Sequence, residues 1–395
     1  LLEDARCDVC VVGGGIAGLL IAERLTNHGM DVVLIESDML ASGETGHTTA
    51  HFTSALDDRY LELERLHGEK GARLAAHSHT VGIDYIEELI NRLGADSGWS
   101  RLDGYLTVNE QHRERARGLL QEELAASLRA GVEVYHAELL PAPWPSAGAA
   151  GALSAGPALR FPRQGQADPI RLLRAVAKRL LATGARLHTK TRAVAVHAGS
   201  DGHVETDRGA LVRCEHVVVA TNTPVINRVA VHTKQAGYQT YVVALRIPAG
   251  ALPPLLWWDG LWENDTSYHY VRLVQGSGVA DGDDLLIVGG EDHKTGQAPK
   301  NDEPYRRLED WARRHFLMCG AVTRRWSGEV MEPADGLAYI GRNAGLHHGP
   351  WIVTGDSGNG MTHAAIAAVL IPDLIMGRDN PWAALYDPGR KVGLH

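Results

Sequence analysis

No apolar run in this 395-residue chain approaches the ~20 residues that a membrane span requires, so a transmembrane helix is not expected. A signal peptide is not expected either, because the first apolar segment, Cys7 to Val12, is short and runs at once into glycines. Basic charge is scarce. The net charge is −9 and no basic stripe breaks the acidic balance, which argues against nucleic acid as a partner. There are only four cysteines. Cys7 and Cys10 form a Cys-x-x-Cys pair, but positions i and i+3 of a strand point to opposite faces, so a shared metal or disulfide is not expected. Cys214 and Cys319 stand alone, and this sparse usage fits a reducing, cytoplasmic setting. His47/His51, His77/His79 and His347/His348 are close pairs, yet no carboxylate or cysteine spacing completes a metal site beside them, so no metal is expected. The chain has no internal repeat and no low-complexity tract.

What is present is concentrated at the start. Hydrophobic residues make up 44% and charged residues 22%, the composition of a soluble globular protein, here long enough for one large or two interlocked domains. Cys7–Val12 reads as a buried strand. Gly13-Gly14-Gly15-Ile16-Ala17-Gly18 reads as a Gly-x-Gly-x-x-Gly turn opening a helix, and Asp31–Ile35 as a second strand ending at Glu36. This βαβ unit is suited to a dinucleotide. Gly13 permits the tight turn, Gly15 lets the backbone approach a pyrophosphate, and Gly18 lets the helix pack close to the strand. The helix N-terminus offers N–H groups and its positive dipole end to the phosphates. Glu36 falls about 20 residues on, where a ribose-binding carboxylate is expected.

A Gly/Ser/Thr-rich loop follows from Ser37 to Ser54. Residues 57–93 show helical spacing broken near Gly68, Arg101–Asn109 reads as a strand pair or hairpin edge, and Glu110–Ala130 as an amphipathic helix. Residues 141–157, with Trp144 between prolines, read as a loop crossing between domains. Asp168-Pro169 starts a helix that runs to about Ala182. Short strands are expected at Arg186–His197, His203–Thr206, Ala210–Arg213 and His216–Ala220, the last a parallel strand returning to the nucleotide sheet. Residues 231–331 change character, with longer antiparallel strands at Tyr238–Ile247, Tyr268–Val274, Leu285–Gly290 and Val322–Met331 around a helix at Pro304–Phe316. Trp257, Trp258, Trp262, Tyr268 and Tyr270 fall here, either roofing an apolar pocket or filling a core. Trp351–Thr354 is then a strand, Gly355–Gly360 a second glycine loop, and Met361–Met376 an apolar helix ended by Gly377.

Two glycine loops, one near each end and each opening a helix, with a β-rich insert between them, resemble the FAD-dependent oxidoreductases of the D-amino acid oxidase and glycine oxidase type. The resemblance covers essentially the whole chain. It rests on Gly13-x-Gly15-x-x-Gly18 with Glu36, Ala41-Ser42-Gly43, Gly165-Gln166-Ala167-Asp168-Pro169, Ala220-Thr221-Asn222, Asp335–Gly341 and Gly355–Gly360. Ser42–His51 and Gly355–His363 are most similar to a subgroup whose members often carry a C-terminal Rieske 2Fe-2S domain. No Cys-x-His or Cys-x-x-His pair follows Asn380–Pro388, so an iron–sulfur cluster is not expected in this chain. The resemblance implies an α/β fold, a Rossmann-like FAD-binding domain with an inserted antiparallel β-sheet substrate domain. The expected division places the FAD-binding domain at residues 1–93, 158–230 and 332–395, a cap segment at 94–157 and the substrate domain at 231–331.

The FAD contacts it implies are Gly13, Gly15, Ile16, Ala17, Gly18, Glu36 and Ser37 in the first unit, and Ser42, Gly43, Thr45, Gly46, His47, Thr48 and Thr49 in the loop. Val194, Ala220, Thr221 and Asn222 follow, with Gly355, Asp356, Gly358, Asn359, Gly360, Met361 and Thr362 in the second glycine loop. A reduced flavin carries negative charge at its pyrimidine end, and the helix N-terminus at Gly358–Met361 is a sensible seat for it. In some relatives that oxidise N-methyl amino acids, a histidine in a Gly-Ser-Thr-x-His loop is bonded covalently to the flavin. Gly43-Glu44-Thr45-Gly46-His47 occupies a comparable place but departs at Glu44 and Gly46, which leaves both a covalent link and a simple contact open.

The implied reaction is hydride transfer from the carbon beside a neutral amine to flavin N5, giving an imine. A flavin dehydrogenase of a 2-hydroxy acid, and an electron relay for a Rieske or ferredoxin partner, remain alternatives. On Ser267–Arg272 the side chains of Tyr268, Tyr270 and Arg272 share a face, where Arg272 is a candidate for holding a substrate carboxylate. His293, in the polar cluster Glu291–Lys294, is a further catalytic candidate. Several amine oxidases of the family use a lysine by the flavin for oxygen. Leu285–Val288 has none, which favours a dehydrogenase passing electrons to a protein or quinone over one using oxygen.

Overall fold

A strand buried on both faces needs apolar cover above and below, and the first sheet shows how the chain supplies it. The computed structural model describes residues 1–108, 114–144, 157–199, 201–224, 230–260, 268–276, 282–297, 302–343 and 349–391. Trp262, Ser267, the His347/His348 pair and the expected helix start at Glu110 lie outside these. The first sheet runs β16 (Tyr339–Arg342), β17 (Trp351–Thr354), β10 (Leu211–Val219), β1 (Ala5–Val12), β2 (Val32–Ile35), β7 (Arg186–His188). From β17 to β7 every pairing is parallel, and β16 closes one edge antiparallel.

Leu19, Leu20 and Ile21 of α1 (Ile16–Asn27) cover one face, together with α2 (Tyr60–Leu93) and α6 (Gly360–Ile375). Val204 of the hairpin β8 (Ala193–His197)–β9 (His203–Thr206) covers the other, packing on Val33, Val217 and Val219. Helix α2 is interrupted where expected, at Gly68, whose φ of 68° and ψ of 168° leave the helical region. Helix α4 (Pro169–Ala182) begins at Asp168, whose side chain accepts from Ile170 N at 2.9 Å and Arg171 N at 3.0 Å. The short α3 (Ala116–Ala130) and α7 (Ala383–Tyr386) brace the α2 side.

The second sheet is largely antiparallel and has the order β15 (Val322–Pro333), β11 (Gln235–Ile247), β14 (Asp284–Lys294), β13 (His269–Val274), β12 (Leu256–Trp258), β4 (Ser100–Leu106), β6 (Ala158–Gln166), β3 (His51–Phe52), with β5 (Tyr135–Ala137) beside β6. Its outer face packs on α5 (Glu303–His315) through Trp144, Trp257, Trp311 and Phe316.

Three differences from the sequence-based expectation have a local cause. First, β3 and β6 join the second sheet, although both fall in stretches expected in the nucleotide-binding domain. Pro162 conceals β6 as a strand; Pro162 and Arg163 (φ 58°) together oppose Asp103 in a bulge. Second, Cys7 and Cys10 do not point to opposite faces. The N–H groups of Asp8 and Val9 both donate to Asp31 O, at 3.0 and 3.1 Å, and this bulge shifts the alternation so that both thiols pack with Cys214 in one apolar layer. Third, the two strands expected at 210–220 are one, β10, and the one expected at 186–197 is two.

Replacing Asp168 by Ala removes the cap of α4 and costs about 1 kcal/mol. Chemical denaturation is expected to show that loss with the flavin-site spectrum unchanged.

Candidate active site

Three stretches of backbone meet at the first glycine turn with no side chain between them. Gly13 has φ 111°, and a Cβ there would strike the carbonyl of Ala220 at the end of β10. A Cβ on Gly18 would strike Gly13 O. Gly18 therefore shapes the turn from behind and is not on the cavity wall. In front of the turn a cavity of about 410 Å³ opens, lined by the carboxyl ends of β1, β2, β10 and β17 on one side and by the second sheet on the other. Glu36 is held firmly at its edge: Oε2 accepts from Gly14 N at 2.7 Å, and Oε1 accepts from Asp38 N at 2.7 Å and Ser37 Oγ at 3.0 Å.

The loop after β2 closes the next part of the wall. Thr45 Oγ1 accepts from Ile16 N at 3.0 Å, which draws the loop onto the N-terminus of α1. Glu44 Oε2 accepts from Glu329 N at 2.7 Å, and Trp326 Nε1 donates to His47 O at 2.8 Å, so the same loop is stitched to β15. Ser42, Gly43, Thr45, His47, Thr48 and Thr49 all line the cavity, while Gly46 does not.

The second glycine loop lies deeper. Gly355, Ser357 and Gly358 are left-handed, with φ of 72°, 44° and 69°, and fold the chain tightly into α6. Asn359, at the N-cap of α6, donates Nδ2 to Ser357 O at 3.0 Å and accepts from none of the helix N–H groups, which leaves that helix end open toward the cavity lining at Gly360 and Met361. Asp356, Gly358 and Asn359 line the cavity as well, whereas Gly355 and Thr362 stand behind it. Thr362 Oγ1 accepts from Thr53 N at 3.0 Å and ties the loop to β3. Val194 is misplaced by the sequence reading. It is 58% exposed on β8, an outer strand away from the carboxyl ends of the main sheet, and does not reach the cavity.

Trp258, Tyr268, Tyr270 and Thr240 form the wall contributed by the second sheet. Tyr270 OH lies 2.8 Å from Thr240 Oγ1, and the Tyr268 and Tyr270 rings are 5.6 Å apart. His51, which sequence reasoning left unassigned, sits 5.9 Å from both Trp258 and Tyr270. Arg272 shares the tyrosines' face but is sealed behind the wall, donating to Gln166 Oε1 at 3.3 Å. His293 turns away from the cavity and stacks on Tyr241 at 5.6 Å, because Glu291 (φ 60°) kinks β14 just before it.

The charge of the wall is one-sided. Among the described residues Glu36, Asp38, Glu44, Asp57, Glu329 and Asp356 line it, and no lysine or arginine does. Burial pushes the carboxyl of Asp57 up to about 6 against the pull of Arg59, and burial pushes Asp356 up to about 6 as well. Behind them Ser357 Oγ lies 2.6 Å from Asp58 Oδ2 and 3.0 Å from Glu332 Oε2, and since it carries one proton it donates to only one of them. Burial raises both of these carboxyls, Asp58 to about 7; the charge of Asp57 adds to both, and that of Asp58 adds to Glu332. Burial pushes His51 down to about 3, helped by the Arg272 charge, and pushes His363 down too, so both rings are neutral at pH 7. A dinucleotide fits this donor set. Two helix N-termini whose own N-cap residues, Gly15 and Asn359, supply no side-chain cap face one cavity, and His51, Asn359 and His363 each keep a buried polar atom with no partner among the described residues.

A family model described as FAD dependent oxidoreductase matches residues 8–374. YhfW of Bacillus subtilis (strain 168), which carries the name of a Rieske 2Fe-2S iron-sulfur protein, is 28% identical over 392 residues, covering 99% of this chain and 72% of that protein. Gamma-glutamylputrescine oxidoreductase of Escherichia coli (strain K12) is 24% identical over 383 residues, covering 95% of this chain and 85% of that protein. The crystal structure of glycine oxidase from Geobacillus kaustophilus superimposes with a TM-score of 0.75 at 20% identity, covering 98% of this chain and 100% of that one, and shares the fold.

The buried acids make stability depend on pH. Asp58 titrates near 7 in the folded chain against 3.8 when unfolded, so its contribution is complete below about pH 4 and is lost as pH rises through 7. Asp58→Asn is therefore expected to gain in Tm relative to the parent at pH 8 compared with pH 5. A difference that does not change between the two pH values would show Asp58 to be ionised throughout.

Proposed function

The chain belongs to the FAD dependent oxidoreductase family, and on that premise we propose that it oxidises an amine or amino acid at the carbon beside nitrogen. Bound FAD supplies the chemistry by accepting a hydride from that carbon, and the substrate leaves as an imine. The chain's own work is to hold the cofactor and present the C–H bond. Gly13, Gly15 and the α1 N-terminus would hold the pyrophosphate of bound FAD, Glu36 its ribose, and the α6 N-terminus the pyrimidine end of its flavin. Trp258, Tyr268 and Tyr270 position the substrate. Arg272 supports this wall from behind and does not hold the substrate.

The observation that carries an amine substrate is the acidic, arginine-free lining beside these aromatics. Burial raises the hydroxyls of both tyrosines, and the charge of Asp57 adds to it at Tyr268 and, after that of Asp292, at Tyr270. A carboxylate there attracts a substrate arriving as an ammonium ion, whose proton must leave before the carbon is oxidised, and nothing described on the wall would neutralise a carboxylate, of a 2-hydroxy acid or of an amino acid, so an amine without one is favoured. The amine in the name of the Escherichia coli relative accords with this. The absence of a cavity lysine among the described residues favours a dehydrogenase over an oxidase. A second reading, electron delivery to an iron–sulfur partner, is favoured by the name of the Bacillus subtilis relative. The four cysteines, all free, are in keeping with a reducing compartment such as the cytoplasm. His47 is assigned a contact with FAD and not a covalent bond, since Glu44 and Gly46 depart from the loop that carries the bond in relatives.

Anaerobic titration of the flavin with amines, N-methyl amino acids, D- and L-amino acids and 2-hydroxy acids tests the proposal. Bleaching is expected with amines and slow recolouring in air; bleaching by hydroxy acids alone, or by nothing, would overturn it. Asp57→Asn is expected to lower kcat/KM for the amine by about 10- to 100-fold, the loss of a charged hydrogen bond worth about 1.5–3 kcal/mol. The parent's kcat/KM should rise as pH increases through about 6, where Asp57 ionises, and the variant should lack that limb. Acid precipitation is expected to release the flavin into the supernatant; flavin fluorescence retained on the denatured chain would establish the covalent link.

A further inference from the structure

The β8–β9 hairpin lies outside the cavity and brings together three metal-ligating side chains that no part of the flavin chemistry uses. His197 and His203 are direct cross-strand partners, and Glu205, two residues beyond His203, projects from the same face. The imidazole rings stack 4.4 Å apart at 17°, so their edges are presented side by side. Glu205 Oε1 sits between those edges, 2.9 Å from His197 Nε2 and 3.9 Å from His203 Nε2. All three ligand atoms lie within 4.8 Å of one another.

A second feature is characteristic of metal-binding histidines. His203 Nδ1 lies 2.8 Å from Asp201 O. A carbonyl can only accept, so Nδ1 carries the proton and Nε2 keeps its lone pair free on the side facing Glu205. Such a bond from the remote ring nitrogen orients the ring and raises its basicity as a ligand. Register holds the donors in place: the pair sits at the mouth of a turn closed by Gly202 N donating to Gly199 O at 3.1 Å, and β9 is anchored on its other side to β10. The charge nearest the site on β10 is Arg213, cross-strand to His203, with Asp4 within 4.0 Å of its guanidinium.

We propose that His197, His203 and Glu205 bind one divalent transition-metal ion on the open face of this hairpin. Two imidazole nitrogens and one carboxylate oxygen suit Zn²⁺, Ni²⁺ or Cu²⁺ and are a poor set for Mg²⁺ or Ca²⁺, which prefer oxygen. An ion–donor distance of about 2.0–2.2 Å requires His203 to close on Glu205 by a fraction of an ångström, which a side-chain rotation supplies. Three protein ligands leave a coordination position for water or for a donor from another molecule. The ion clips β8 to β9 across the turn and stabilises the hairpin that covers one face of the nucleotide sheet.

The test uses the flavin-loaded full chain, stripped with EDTA and titrated with ZnCl₂ against a chromogenic zinc indicator, and with CuCl₂ followed by electron paramagnetic resonance. One equivalent of Zn²⁺ is expected to bind, with a rise in Tm, and Cu²⁺ to show coupling to two nitrogens. His197→Ala and His203→Ala are each expected to weaken that equivalent by about tenfold or more, and Glu205→Gln to weaken it as well. All three variants should keep the parent's flavin spectrum and metal-free Tm, since the residues are surface-facing. The proposal fails if the parent binds no equivalent, or if both histidine variants bind one as tightly as the parent.

Discussion

The packing of Gly13 against Ala220, with Gly18 pressed onto Gly13 from behind, is the constraint on which the rest of the site depends. A side chain at either glycine would force β1, β10 and α1 apart. Because these positions are bare, β1 and β10 pair in parallel up to Val12 and Val219 and then diverge, one into α1 and the other toward Asn222. The crevice between diverging strand ends is where open α/β sheets bind ligands. The second glycine loop enters it from β17, the strand beside β10, and the cap of the second sheet closes over it.

The same closure sets the electrostatics. Asp57 with Asp58, Glu332 and Asp356 come from separate segments, and burying them together raises every carboxyl, to about 6 for Asp57 and Asp356, which stay largely ionised at pH 7, and to about 7 for Asp58. The histidines alongside respond in the opposite sense and stay neutral. The result is a cavity whose only formal charges among the described residues are negative, opposite two helix ends whose dipoles are positive. The helix ends suit phosphates and a reduced flavin, and the acids beside the aromatic wall suit a cation. The acids lie at both ends of the cavity, Glu36 against the first glycine turn and Asp57 and Asp356 against Gly358 and Gly360 at the α6 N-terminus.

Much of the fold was legible because its signals are local. The βαβ unit, the break at Gly68, the cap at Asp168, the apolar strand at 216–219 and the glycine loop at 355–360 each rest on residues a few positions apart. What was not legible lies behind bulges and register. Pro162 concealed β6, and with it the place of β3 and β6 in the second sheet. The doubled hydrogen bond at Asp31 O turned Cys10 to the same layer as Cys7. The kink at Glu291 sent His293 away from the cavity. His51, far from the second-sheet aromatics in sequence, had no signal that would pair it with Trp258.

The sequence by itself determined the nucleotide-binding architecture, the cofactor class and many of the residues that line the cavity at its two glycine loops. Glycine turns and helix caps act over one or two helical turns and are recorded by neighbouring residues. Only the tertiary structure decided which charges line the cavity, that Arg272 is sealed behind Tyr270's wall, and that His197, His203 and Glu205 converge on one face. Side-chain direction along a strand is counted from the last bulge, and partners across a sheet are chosen by register. Both depend on contacts between segments tens to hundreds of residues apart, and no local pattern records them.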